Sequence, residues 1–71
     1  MLTYKNQDSY KNLNDDKKSL IDKLLSNVSS GNRESIFTTM LQGTTAANLN
    51  SIGKEAIKIR FKQARASVEG L

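Results

Sequence analysis

The chain contains no cysteine, histidine, proline or tryptophan, and these absences remove whole classes of chemistry. Without Cys or His there is no disulfide, no zinc site of the usual kind and no thiol or imidazole nucleophile–base pair. The carboxylates show no EF-hand spacing, so neither a metal nor another cofactor is expected. Apolar residues fill only 37% of the 71 positions. No apolar run exceeds three residues, far below the roughly 20 that span a bilayer. The first residues carry no apolar signal core, so the expected location is cytoplasmic and no membrane partner is expected. A chain this short forms one small domain with little room for a water-excluding pocket. Neither an enzyme nor a small-molecule substrate is therefore expected.

The patterns that are present are helical. Residues 1–12 are polar, and Leu2, Tyr4 and Tyr10 show no sustained period. They read as a disordered tail ahead of a single domain over 13–71, the alternative being a short arm that packs Tyr4 or Tyr10. A first helix is predicted over 15–28, capped by Asn14, with Asp15 and Asp16 in the first turn where the helix dipole favours negative charge. Its apolar stripe is Leu20, Ile21, Leu24, Leu25 and Val28. A second helix is predicted over 33–42, capped by Asn32 or Ser30. Ile36, Phe37, Met40 and Leu41 lie on its apolar face, and Gly43 stands where a helix-terminating glycine belongs. Thr44 and Thr45 then precede a helix of about two turns, and a polar turn ends at Gly53.

Residues 54–68 are predicted as the third substantial helix. Ile57-Lys58-Ile59-Arg60-Phe61-Lys62 alternates like a strand, but the flanking Lys54-Glu55-Ala56 and Gln63-Ala64-Arg65-Ala66 are strong helix formers. No second strand is available for pairing. The expected class is an all-α domain of three to four helices.

On a helical wheel, Ile57, Phe61, Ala64, Val68 and Leu71 share an arc of roughly 80°. Lys54, Lys58, Lys62 and Arg65 occupy a different arc of about the same width. Charge is concentrated here: residues 1–31 carry a net +1, whereas 32–71 carry +3. In the first helix Lys17, Lys18 and Lys23 alternate with Asp15, Asp16 and Asp22, so no comparable row forms. A cationic row of this kind suits phosphate binding through counterion release. Ile52, Ala56, Ile59 and Ala66 make a weaker apolar line on another side, suited to a homodimer seam, a protein contact or thymine methyl groups.

The C-terminal half resembles the helix-turn-helix of sigma-factor region four and of LuxR-type DNA-binding domains. The run from Ala56 through Arg65 matches the recognition-helix pattern of small residue, apolar, Lys, any, Arg, apolar, two variable and Ala-Arg. Thr45-Ala46 followed by Leu49 is similar to the short preceding helix, with a turn one residue longer than the family's. The resemblance implies that Lys54, Glu55, Lys58 and Lys62 face DNA with Thr44 or Thr45 near a phosphate. It implies that Ile57, Phe61 and Val68 are buried, and that Arg60 and Arg65 serve the DNA backbone or internal ion pairs.

Two functions fit these observations. The first is a small DNA-binding transcriptional regulator of phage or plasmid type, with Glu55 or Gln63 at base edges. The second is a helical protein-binding regulator, such as an antirepressor or antitoxin-like inhibitor, with Phe37, Met40, Ile52 and Ile59 as its interface. A basic membrane-surface helix fits less well, because Phe61 would be its one aromatic anchor.

Overall fold

The computed structural model describes residues 3–70, and among them every regular element is helical. A 3-10 turn (Tyr4–Asn6) precedes α1 (Asp8–Lys11), α2 (Asp15–Leu25), α3 (Ser30–Met40), α4 (Ala46–Ser51) and α5 (Lys54–Glu69). The all-α class stands, with the short α1 added to the four predicted helices. Leu2 and Leu71 lie outside the described residues. The alternating segment 57–62 is helical because helical spacing sorts its side chains usefully. Ile57 and Phe61 share the buried face, while Ile59 is 56% exposed.

Local signals set the helix ends. Within α2 the last regular residue is Leu25, and Val28 instead closes a turn with its N–H on the Leu25 carbonyl at 3.2 Å. Its side chain is still buried, so the predicted apolar stripe is intact beyond the helix. Helix α3 begins earlier than predicted, because Ser29, in an extended conformation, accepts the Asn32 N–H at its carbonyl at 2.9 Å. It ends at Met40, and Gly43 at φ 75° turns the chain away in the left-handed region that glycine enters without a Cβ clash. The Thr45 hydroxyl caps α4 by accepting the Asn48 N–H at 3.2 Å. Gly70, also left-handed, closes α5 with its N–H on the Ala66 carbonyl.

Packing centres on α3 against α5, and α2 packs on α5. Ile21 and Leu25 of α2, Ile36, Phe37 and Met40 of α3, Leu49 of α4 and Ile57 of α5 are essentially inaccessible to solvent. Removal of these side chains from water at about 25 cal/mol per Å² is what holds the helices together. Asn50 ties α4 to the segment ahead of α2. Its Oδ1 accepts the Asn14 N–H at 2.8 Å, and its Nδ2 donates to the Asn12 carbonyl at 3.0 Å.

Between the two readings of the N-terminal segment, the structure selects the packed arm, so the expected disordered tail is corrected from residue 3 onward. Tyr4 is buried, with its ring 5.5 Å from Tyr10 and 5.7 Å from Phe37. Both phenols donate to one carboxylate: Tyr4 to Asp22 Oδ1 at 2.8 Å and Tyr10 to Asp22 Oδ2 at 3.0 Å. Aromatic burial and two hydrogen bonds to a charged acceptor offset the entropy of ordering these residues. Periodicity missed the arm because it is two isolated aromatic contacts rather than a repeating stripe.

Candidate nucleic-acid interface

The chain has three arginines, Arg33, Arg60 and Arg65, and the folded chain engages all three. Arg33 Nε donates to the Leu25 carbonyl at 2.9 Å and the Val28 carbonyl at 3.3 Å, closing the end of α2. Arg60 does the same for α3: Nε and Nη2 donate to the Met40 carbonyl at 2.9 and 2.8 Å, and Nη2 also reaches the Gln42 carbonyl at 3.0 Å. The last carbonyls of a helix have no partner within it and carry the negative end of its dipole, so a guanidinium fork satisfies both needs. Arg65 pairs with Glu69, whose other oxygen accepts from Asn32 Nδ2 at 3.4 Å. Arg60, predicted for DNA contact, is therefore a structural clamp. Arg65 is half-buried in an internal ion pair, the second of the roles the resemblance implied.

The lysines of α5 behave differently. Lys54, Lys58 and Lys62 are all exposed, at intervals of four residues along one edge of the helix. Lys58 makes a surface ion pair with Glu55 at 3.2 Å, in which both side chains are well exposed. Such a pair contributes little and exchanges readily for another anion. Lys54 and Lys62 have no ion-pair partner among the described residues. An ammonium on a flexible stem stays hydrated at this surface, whereas the guanidiniums are held by carbonyls and a carboxylate.

The remaining expected contact residues divide. Thr45 is exposed but its hydroxyl is the α4 cap, and Thr44 is half-buried in the preceding loop. Glu55 and Gln63 are exposed on α5. Phe37 and Met40, expected on a protein-binding face, are 0% and 1% exposed and belong to the core. That expectation is corrected: both point from α3 into the packing against α5 and the N-terminal arm. Ile52 is half-buried against the same core, which leaves Ile59 as the exposed member of the proposed apolar contact.

Comparison of the chain with known protein families, curated proteins and solved structures finds no match. The site therefore rests on its own geometry. Helix α4 is followed by a turn through Ile52 and Gly53 and then by α5, so the lysine row begins at the first residue after the turn. Beside the row lies an open groove of about 360 Å³ between α2 and α5, lined by Leu24, Phe61 and Ala66 and by Lys58, Lys62 and Arg65. The sequence pattern missed this groove because Leu24 and the α5 residues that line it lie more than thirty positions apart. No helix among the described residues is long and apolar enough to cross a membrane.

Proposed function

We propose that the chain is a small DNA-binding transcriptional regulator that lays α5 against duplex DNA, with Lys54, Lys58 and Lys62 on phosphates. The observation that carries this reading is the row of three exposed lysines on one helix edge, beside arginines that are all occupied internally. From Lys54 to Lys62 the helix rises about 12 Å. Duplex DNA presents a phosphate about every 3.4 Å per strand along its axis, so acceptors are available along the whole row. In this reading α4 and α5 act as a helix-turn-helix, α4 crossing the backbone and α5 entering the major groove. Glu55, Gln63 and Ile59 then meet base edges, Ile59 through a thymine methyl. One module of this size reaches useful specificity as a homodimer or by docking on a larger partner.

Counterion release makes the reading quantitative. Three phosphate contacts imply a slope of about −2.7 for log affinity against log salt. Affinity then falls by roughly 40-fold between 50 and 200 mM salt. The variant carrying Lys58→Ala and Lys62→Ala keeps one contact and should show a slope of about −0.9. A mobility-shift titration over that salt range measures both. An unchanged slope in the double variant, or no retention of wild type on DNA at low salt, overturns the proposal.

A further inference from the structure

The groove between α2 and α5 has a composition that DNA phosphates alone do not use. Leu24, Phe61 and Ala66 supply an apolar floor, and Lys58 and Lys62 stand beside it, next to Arg65, whose charge is already paired with Glu69. The two lysines are shared with the phosphate-binding row. We propose that this groove docks an acidic protein segment carrying one large apolar side chain, and that docking and DNA binding exclude one another through Lys58 and Lys62. The exclusion rests on the DNA reading above; the docking does not.

Charge complementarity identifies the occupant. An anchor side chain seated on the floor is desolvated there, and carboxylates beside it meet the surrounding cations, the usual division between the centre and rim of an interface. At about 360 Å³ the groove accepts one aromatic or leucine side chain with part of its backbone. Duplex DNA would satisfy the cations and leave the floor unfilled. A bilayer surface suits it less, since the apolar atoms lie in a groove between two helices. Ile59 extends the apolar surface: it lies seven residues before Ala66, which places the two on one side of α5.

The test uses a labelled synthetic peptide in which a single tryptophan is flanked by glutamates, read by fluorescence anisotropy, with an all-glutamine version as control. Wild type should bind the glutamate peptide and not the control. Leu24→Gln, Ala66→Phe and Lys62→Ala should each weaken binding by about tenfold or more. Leu24→Gln should leave DNA affinity within about twofold, since it lies on α2 and alters neither the lysine row nor the DNA-facing side of α5. Ala66 is half-buried at the surface, so its variant keeps the test sound if Leu24→Gln fails to fold. In competition the peptide should release bound duplex. Peptide binding that is absent, or that survives both groove variants, overturns the docking. Binding to phosphatidylserine vesicles that depends on Leu24, without peptide binding, assigns the groove to lipid and overturns it as well. Peptide binding without any DNA retention upholds the docking and removes the DNA reading together with the exclusion.

Discussion

Replacing Asp22 by alanine tests how the N-terminal arm is held. In the wild type this one carboxylate accepts the Tyr4 and Tyr10 hydroxyls at 2.8 and 3.0 Å. Hydrogen bonds to a charged group contribute about 1.5–3 kcal/mol each, and the half-buried position of Asp22 places these at the lower end. Their joint loss should therefore cost about 3 kcal/mol. A domain of this size has about 4–10 kcal/mol in total, so the melting temperature should drop by roughly 10–20 °C. The same site carries a pH signature. Burial first, and then the bond and charge of Asp22, raise both phenols above their ordinary value near 10. Above about pH 10 the unfolded chain loses phenolic protons that the folded chain retains. The native state then binds more protons than the unfolded one, and stability must fall as pH rises through that range. These are the chain's two tyrosines and it has no tryptophan, so phenolate absorbance and tyrosine fluorescence report this cluster alone. In Asp22→Ala the phenolate titration should move down toward the ordinary value while the thermal midpoint falls. A variant that melts with wild type, or wild-type tyrosines that titrate near 10 while the protein stays folded, would refute the account.

Four further outcomes come from three chain positions at helix ends. Arg60→Ala removes the clamp on the Met40 and Gln42 carbonyls and should cost about 2–3 kcal/mol in denaturant unfolding. Arg60→Lys should recover only part of this, because an ammonium cannot reproduce the planar fork. Thr45→Ala removes the α4 cap and should cost about 1 kcal/mol, measured by the same unfolding curves, with the largest loss of amide protection in α4. Gly43→Ala forces a Cβ into the left-handed region and should cost roughly 1–2 kcal/mol, even though the space around it is open.

Much of the architecture was legible because its signals are local. Thr45, Gly43, Gly53 and the stripe of Ile57, Phe61 and Ala64 lie within a few residues of the structure they determine. The strand-like alternation at 57–62 yielded to flanking helix formers for the same reason. The early start of α3 was less legible, since Ser29, Ser30 and Asn32 are all competent caps and only the chain's path out of α2 selects among them. The arm was legible only as the alternative to a disordered tail, because Tyr4 and Tyr10 find Phe37 and Asp22 across long sequence separations. The lysine row of the candidate site was visible on a wheel, which also places Arg60 on the other side of the buried stripe.

Arg60 and Lys58 show where sequence stops and tertiary structure begins. Both are cations on one helix, two residues apart, and the sequence alone determines the helix, its apolar stripe and the concentration of positive charge in this half of the chain. Whether Arg60 is available to a partner depends on what the opposite helix brings near it. The end of α3 brings carbonyls to Arg60, and Glu69 is one turn from Arg65, while Lys54 and Lys62 meet solvent. Helical periodicity is a property of neighbouring residues, so the sequence displays it. The engagement of Arg60 is set by its distance to the end of a helix some twenty residues away in the chain, and that distance exists only once the core has packed.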